Sequence, residues 1–285
     1  AQLGIEHHVF NFGEEFTRHV VTPWVDTHRS GGTPNPCIEC NRHIKFDLFV
    51  ERATMLGFDR IATGHYARLE QVADGSLRLR RGVDDQKDQS YVLHMVGQRV
   101  LERLSLPIGG WTKPDLRAEA ERRGLLTAAK PDSQDVCFIT KSGGRAAFLS
   151  DRGGLTPGVI VDESGVAVGT VPATELVTIG QRKGLDVSGM GEPHFVLDVD
   201  LAESVVTIGP RRSLQIRHTP FRDPVWASEP HVGPALVQAS AHGRALPAHV
   251  GPDRVEWMAE RDRVAPGQSL VFYDGDLVIG GAIAD

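Results

Sequence analysis

Long apolar runs are missing from this 285-residue sequence, and no basic segment precedes an apolar one near its beginning. A membrane-spanning helix needs roughly 18 or more apolar residues in succession, and a secretory signal needs a basic segment followed by an apolar one. The sequence therefore predicts neither feature. We expect a cytoplasmic protein that has no membrane partner.

Cysteine is scarce, with three residues in the whole chain. A low, odd number excludes a secreted disulfide framework and favours thiols that have a chemical role. Cys37 and Cys40 form a C-x-x-C pair, and Cys137 lies far along the chain. A zinc site made of two C-x-x-C pairs is therefore impossible, whereas a mixed site with histidine and a redox pair both stay open. By itself, Cys137 is typical of an inert buried cysteine.

An excess of positive charge is also absent, because 31 Lys and Arg stand against 37 Asp and Glu, which gives a net charge of −6. The overall charge thus does not predict a nucleic-acid-binding protein. Such a partner would have to meet a local basic patch, for example Arg78, Arg80, Arg81 and Lys87. A solvated surface is the simpler interpretation of that patch.

The patterns that are present predict an α/β domain followed by β-rich modules. We expect a short strand over residues 6–12, a helix over 44–56 and a strand that ends at Gly64. This order is typical of an α/β sheet whose ligands bind at the carboxyl ends of the strands. Asp74-Gly75 predicts a hairpin, and further helices are expected near 90–103 and over 112–123.

Beyond about residue 155 the helical periodicity fades, and short β-rich runs separated by Gly, Pro and Asp replace it. Regularly spaced short strands are typical of barrels. We therefore place a nucleotide-binding α/β domain at 1–150, a central β-rich module at 151–210 and a β-barrel at 211–285.

The segment that carries Cys37 and Cys40 joins a stiff loop to a helix. Pro34 and Pro36 hold Thr33 and Asn35 out of the α region, so the chain is expected to stay extended up to Cys37. Cys40 would then lie near a helix N-terminus, where the helix dipole favours a thiolate. This position predicts a thiol pKa below its usual value of roughly 8.5.

Several short runs, taken together, resemble the tRNA-specific 2-thiouridylases. Each run alone is weak, but they occur in the family's order and at its spacing over nearly the whole chain. The runs are residues 33–37, 40–41, 44–46, 61–66, 87–91, 132–134, 137–139, 178–185, 266–268 and 280–281.

This resemblance implies a Rossmann-like α/β domain of the adenine-nucleotide alpha-hydrolase-like (PP-loop) type, then a central β-rich module and a C-terminal β-barrel. It implies that ATP, with Mg²⁺, adenylates the C2 oxygen of the wobble uridine of tRNA. A persulfide on Cys137 would deliver sulfur, and Cys40 would resolve it, releasing sulfide or leaving a Cys40–Cys137 disulfide. The sulfur would come from a cysteine desulfurase or a relay protein.

The resemblance also assigns binding residues by position. Gly64 matches a backbone contact to ATP. Further positions match contacts to the tRNA: Asn35, Pro36 and Cys37 at the target base, and His65, Lys87, Asp88, Gln89 and Gln268 elsewhere. A purely structural explanation exists for most of the latter group, namely a satisfied histidine at a strand end, a capped turn and a turn residue.

Two departures from the family pattern matter. The Ser-Gly-Gly-Val-Asp-Ser-Ser phosphate-binding run is not in the sequence. We therefore expect an α/β domain that is incomplete at its N-terminus and an activity that needs the full-length protein. Cys37 stands where some members carry aspartate, so an iron–sulfur cluster on three thiolates is an alternative. A non-catalytic RNA-binding remnant is another.

Overall fold

The computed structural model describes residues 4–131, 136–139, 143–187 and 191–285. Two long helices dominate its beginning. Helix α1 (residues 13–29) consists of the consecutive segments Gly13–Phe16, Thr17–Val21 and Thr22–Arg29. Helix α2 (residues 36–55) consists of Pro36–Glu39, Cys40–Leu48 and Phe49–Met55. The middle segment of each has the wider π-helical turn, in which each N–H bonds the carbonyl five residues back.

Helix α2 confirms the helix predicted over 44–56, although it begins earlier, at Pro36. Asn35 caps it, because its side-chain Oδ1 accepts a hydrogen bond of 3.0 Å from the Cys37 N–H. Gly57 follows the helix with a φ of 85°, the left-handed conformation that ends many helices. The two prolines and Asn35 thus fix where the cysteine-bearing helix starts.

The strand predicted over residues 6–12 is wrong, because residues 4–12 have no regular secondary structure. A strand needs a hydrogen-bonding neighbour, and no described strand pairs with this segment. Its aromatic rings pack locally instead. Phe10 lies 6.0 Å from Phe12 and 5.9 Å from Phe49 on α2.

The rest of the first part is built from short elements. They are β1 (Ile61–Ala62), β2 (Ala67–Gln71), β3 (Leu77–Arg81), a 3₁₀ turn (Ser90–Leu93), α3 (Gln98–Leu101), β4 (Leu104–Ser105), α4 (Lys113–Arg122) and α5 (Gly144–Ser150). Strands β1 and β4 pair in parallel, as expected of an α/β sheet. The hairpin predicted at Asp74-Gly75 joins β2 to β3, and Gly75 has a φ of 84°.

The central part is a five-stranded sheet. Its strands are β5 (Gly158–Val161), β6 (Ala167–Val171), β7 (Asp186–Val187), β8 (His194–Asp200) and β9 (Val205–Pro210), in the order β7-β6-β5-β9-β8. Ile160, Val196, Val206 and Ile208 form its fully buried core. The short β-rich runs seen in the sequence are therefore confirmed as strands.

The last part is a closed barrel of six strands. They are β10 (Gln215–Trp226), β11 (Gly233–Gln238), β12 (Leu246–Val250), β13 (Arg254–Asp262), β14 (Ser269–Asp274) and β15 (Leu277–Ala284). The order β10-β13-β12-β11-β14-β15 is closed by pairing between β10 and β15. A closed barrel leaves no unpaired edge within the ring, which stabilises a sheet of short strands.

The β2–β3 hairpin joins this barrel, because Arg80 on β3 pairs with Leu277 on β15. Arg80 and Arg81 of the basic patch, together with Arg68, hold the hairpin against the barrel. Arg80 bonds Asp276 and Glu70, Arg68 donates to Asp276 at 2.6 Å, and Arg81 donates to Gln238 at 2.8 Å. These charges are therefore paired inside the molecule, and the first and last parts of the chain share one sheet.

Within the residues described, no helix has the length and apolar character to cross a membrane.

Candidate active site

The structure brings the three cysteines into one neighbourhood. Cys37 and Cys40 lie in the first turns of α2, and none of the three is in a disulfide. Cys137 lies close enough that its charge acts on the thiols of both Cys37 and Cys40. Cys37 and Cys137 are exposed, whereas Cys40 is half-buried. Residues about a hundred positions apart in sequence thus lie within electrostatic reach of one another.

Aromatic packing explains how Cys137 reaches this group. The next residue, Phe138, lies 5.6 Å from the ring of Trp24 and 5.7 Å from that of Phe16, both on α1. It also packs 5.2 Å from Phe148 on α5. Trp24 is almost fully buried, so Phe138 anchors the Cys137 segment against the side of α1. Residues 132–134 of the same sequence run lie outside the described residues.

The pKa predicted for Cys40 is wrong in direction. Burial raises the pKa of the Cys40 thiol above its usual value; Lys45 opposes this rise, and Cys137 and Cys37 add to it. The N–H of Cys40 already bonds the carbonyl of Pro36, so the free helix terminus lies one turn before this residue. Loss of hydration therefore outweighs the helix dipole. Burial also raises the pKa of Cys37, with Cys137 adding to it.

These shifts predict slow alkylation of Cys40 by iodoacetamide at pH 7, because the reactive thiolate is scarce below a raised pKa. We expect the rate, measured by peptide mass spectrometry, to rise continuously from pH 7 to about pH 9.5. Lys45→Gln should shift the curve to still higher pH, because its positive charge favours the thiolate. Alkylation of Cys40 at pH 7 that is as fast as alkylation of a free thiolate would contradict the raised pKa.

Lys45 is a candidate site residue that the sequence did not reveal. Its positive charge acts on Cys37, on Cys40 and on His65 at the end of β1. In the π-helical part of α2, a residue five positions after Cys40 lies closer to the face of Cys40 than it would in an α-helix. The spacing alone, read with α-helical geometry, could not have revealed this.

The loop before α2 is fastened to the barrel. The Thr33 N–H donates to the Pro266 carbonyl at 2.7 Å, and the Gln268 side-chain Nε2 donates to the Thr33 carbonyl at 2.7 Å. Gly267 has a φ of 84°, and a Cβ there would lie 3.2 Å from the Thr33 nitrogen. The predicted site residue Gln268 therefore lies beside the loop of Asn35 and Pro36 and helps to hold it.

Gly64 and His65 follow β1. Gly64 is exposed, and a Cβ there would meet only the Ile108 Cδ1, at 3.9 Å. His65 is buried, with Nδ1 2.9 Å from the Thr63 Oγ1. Burial, with a smaller effect of Lys45, lowers the pKa of His65 to about 4, so its imidazole is neutral at pH 7. An open glycine at the carboxyl end of a parallel strand fits the close approach of a nucleotide.

The predicted triplet Lys87, Asp88 and Gln89 forms a turn beyond β3. Asp88 accepts hydrogen bonds from the Gly82 and Ser90 N–H groups and from the Arg81 guanidinium, at 2.9 to 3.1 Å. The Gln89 Oε1 accepts from the Tyr66 N–H at 3.0 Å, which ties this turn to the end of β1. Both side chains are thus engaged within the protein, and their contacts to tRNA stay a prediction.

Among the described residues, which include all three cysteines, no three or more His, Cys, Asp or Glu side chains are grouped to hold a metal ion. The iron–sulfur alternative therefore has no support in this geometry.

Comparison with protein families first defines the class. The description "tRNA methyl transferase HUP domain" matches residues 1–141, "tRNA methyl transferase PRC-barrel domain" matches 146–217 and "Aminomethyltransferase beta-barrel domain" matches 221–284. The chain is thus an α/β domain of the HUP, PP-loop-like type followed by a PRC-barrel domain and a β-barrel. The domain boundaries that the sequence analysis places after residues 150 and 210 stay a prediction.

Curated relatives then define the family. The tRNA-specific 2-thiouridylase MnmA of Chloroflexus aurantiacus is 44% identical over 291 residues, which cover 99% of this chain and 80% of the relative. The protein of the same name from Roseiflexus sp. RS-1 is 42% identical, over 99% of this chain and 82% of the relative. The one from Thermobifida fusca is 44% identical, over 98% of this chain and 77% of the relative. The chain belongs to the tRNA-specific 2-thiouridylases, a family of transferases.

Proposed function

We propose that this protein, in its full-length form, uses ATP to replace the C2 oxygen of the wobble uridine of tRNA with sulfur. The observation that carries the proposal is the electrostatic effect that Cys137 and Lys45 both exert on the thiols of Cys37 and Cys40. Sulfur transfer through a persulfide needs two thiols that meet, and a nearby cation that favours the thiolate form.

In the proposed reaction, ATP supplies an adenylyl group, so that the C2 oxygen leaves as AMP. The outer sulfur of a persulfide on Cys137 attacks C2, and the bond from C2 to oxygen breaks. The Cys40 thiolate then attacks the Cys137 Sγ. The sulfur–sulfur bond breaks, its electron pair stays with the sulfur on C2, and a Cys40–Cys137 disulfide forms. An external thiol reductant restores both thiols.

Cys40 must lose its proton before it can attack, although burial holds its pKa high. Lys45 is the group that offsets this effect, because its charge stabilises the thiolate. We therefore assign Lys45 to the positioning and activation of Cys40.

The remaining residues bind the substrates in this proposal. Gly64 lets ATP, with Mg²⁺, approach the carboxyl end of β1. Asn35, Pro36 and Cys37 contact the target base, which must be turned out of its stack to react. His65, Lys87, Asp88, Gln89 and Gln268 contact the tRNA. The sulfur donor is a cysteine desulfurase or a relay protein, and we place the reaction in the cytoplasm.

The matched family descriptions mention methyl transfer, whereas the curated relatives are named for thiolation. The group of thiols favours thiolation. To decide, full-length protein is incubated with unmodified tRNA, ATP and a persulfide donor, and the nucleosides are analysed by mass spectrometry. We expect 2-thiouridine that depends on ATP and on the donor. A methylated uridine, or no sulfur in the tRNA under any donor, would refute the proposal.

A further inference from the structure

The thiol of Cys37 has no part in the sulfur transfer described above. The backbone N–H of this residue donates to the Asn35 Oδ1, and its carbonyl accepts a hydrogen bond from the Cys40 N–H. The side chain is exposed and the sulfur is free. Exposed thiols beside a reacting disulfide can take part in exchange.

Cys37 and Cys40 lie three residues apart in the first turns of α2, on neighbouring positions of the helix surface. Such positions have Cβ atoms roughly 5–6 Å apart. A disulfide needs about 3.5–4.5 Å, so a small closure of one helical turn is enough to join them. The C-x-x-C spacing at the start of a helix suits this closure, because the first turn has few hydrogen bonds to break.

Cys137 is also a neighbour of Cys37. Phe138 packs on Trp24, and Trp24 and Pro36 line the same cleft, of about 480 Å³, between α1, α2 and the barrel. The segment of Cys137 is thus held against Trp24, a residue that lines this cleft together with Pro36. The charges agree with this arrangement, since the effect of Cys137 on Cys37 exceeds that of Lys45, whereas at Cys40 the effect of Lys45 is the larger.

We propose that Cys37 is a third redox-active residue, which moves the disulfide away from Cys137 after each sulfur transfer. The inference rests on the proposed function. The Cys37 thiolate attacks the Cys40 sulfur of the Cys40–Cys137 disulfide. A Cys37–Cys40 bond forms, the Cys40–Cys137 bond breaks, and Cys137 leaves as a thiolate that takes up the proton lost by Cys37. No oxidant is consumed, and the number of disulfides does not change.

This exchange would separate two tasks. Cys137 must be a free thiol to accept the next sulfur, whereas the disulfide must wait for an external reductant. Moving the disulfide to Cys37 and Cys40 frees Cys137 at once.

The test maps disulfides after a single turnover. Full-length protein with a persulfide donor, tRNA and ATP is quenched with acid and N-ethylmaleimide, and its peptides are analysed without reduction. We expect a Cys37–Cys40 disulfide in the unmodified protein and a Cys40–Cys137 disulfide in Cys37→Ser, each in proportion to the 2-thiouridine formed. Cys40→Ser should give neither.

A second measurement compares reductants. Cys37 also contacts the target base in our proposal, so Cys37→Ser can slow the first turnover for that reason alone. We therefore measure the ratio of the steady-state rate to the first-turnover rate, in which this effect cancels. We expect Cys37→Ser to lower this ratio about 10-fold with a monothiol and by less than about 2-fold with a dithiol. If 2-thiouridine forms but the unmodified protein retains Cys40–Cys137, or the ratio is unchanged, the role of Cys37 is refuted. If no 2-thiouridine forms, the proposed function itself fails.

Discussion

Replacing Cys137 or Cys40 with serine is expected to abolish 2-thiouridine formation by the full-length protein, with a rate loss of about 10³-fold or more. Without Cys137 there is no sulfur to carry the persulfide. Without Cys40 the protein lacks the thiol that we assign to break the bond between Cys137 and the sulfur on C2, so the tRNA stays attached to Cys137. The rate is measured from the 2-thiouridine content of tRNA digests during the first minutes of reaction.

Both variants provide their own control, because adenylation of the tRNA needs no thiol. We expect release of pyrophosphate from ATP to persist in Cys137→Ser and Cys40→Ser. The substitutions should also leave the melting temperature nearly unchanged, since Cys137 is exposed and serine is close to cysteine in size. Unaltered 2-thiouridine levels in either variant would refute the assigned roles. A loss of pyrophosphate release would show that the substitution damaged the ATP site instead.

Local signals in the sequence predicted much of the fold. Helix α2 follows from apolar spacing and Gly57, and the β2–β3 hairpin follows from Asp74-Gly75. Both depend on residues close together in the chain. Helix α4 is similar, since Pro114 lies in its first turn, as its sequence predicts, whereas the caps supplied by Asn35 and Thr112 were found only in the structure. Elements fixed by such short-range chemistry are the ones that a sequence reveals.

Features that depend on distant partners could not be predicted in this way. Residues 6–12 have an apolar pattern but no described strand to pair with, so they form none. The raised pKa of Cys40 depends on burial in the folded protein and, in part, on Cys137, far along the chain. The strand pairing between Arg80 and Leu277 likewise links two regions whose contact could not be predicted from either sequence.

In the candidate site, too, local features can be predicted from the sequence and long-range contacts cannot. The resemblance pairs Cys40 with Cys137, whereas the contact of Phe138 with Trp24, which anchors the Cys137 segment, is visible only in the structure. The effect of Lys45 on Cys40 could not be predicted either, because it depends on the π-helical turn of α2. A long-range contact and an unusual helical register are therefore the features of the site that spacing leaves out.

Replacing Gly64 with valine is expected to lower kcat/KM for ATP about 100-fold, since a displacement of roughly 1 Å at a reacting centre costs that much. A Cβ at Gly64 meets only the Ile108 Cδ1 within the protein, at 3.9 Å. The added methyl groups would therefore point into the space that we assign to the nucleotide. Pyrophosphate release at varied ATP concentration measures the effect, and it does so without sulfur transfer.

Gly110→Val is the matched control, because Gly110 is also exposed and a Cβ there meets nothing within 4 Å. The Cβ of neither valine creates a clash and both positions are exposed, so we expect each substitution to change the free energy of unfolding by about 0.5 kcal/mol or less. A selective loss of ATP use in Gly64→Val would separate nucleotide approach from stability. Equal ATP kinetics in the two variants would mean that the nucleotide lies elsewhere along the carboxyl ends of β1 and β4, and Gly64 would lose its assigned role.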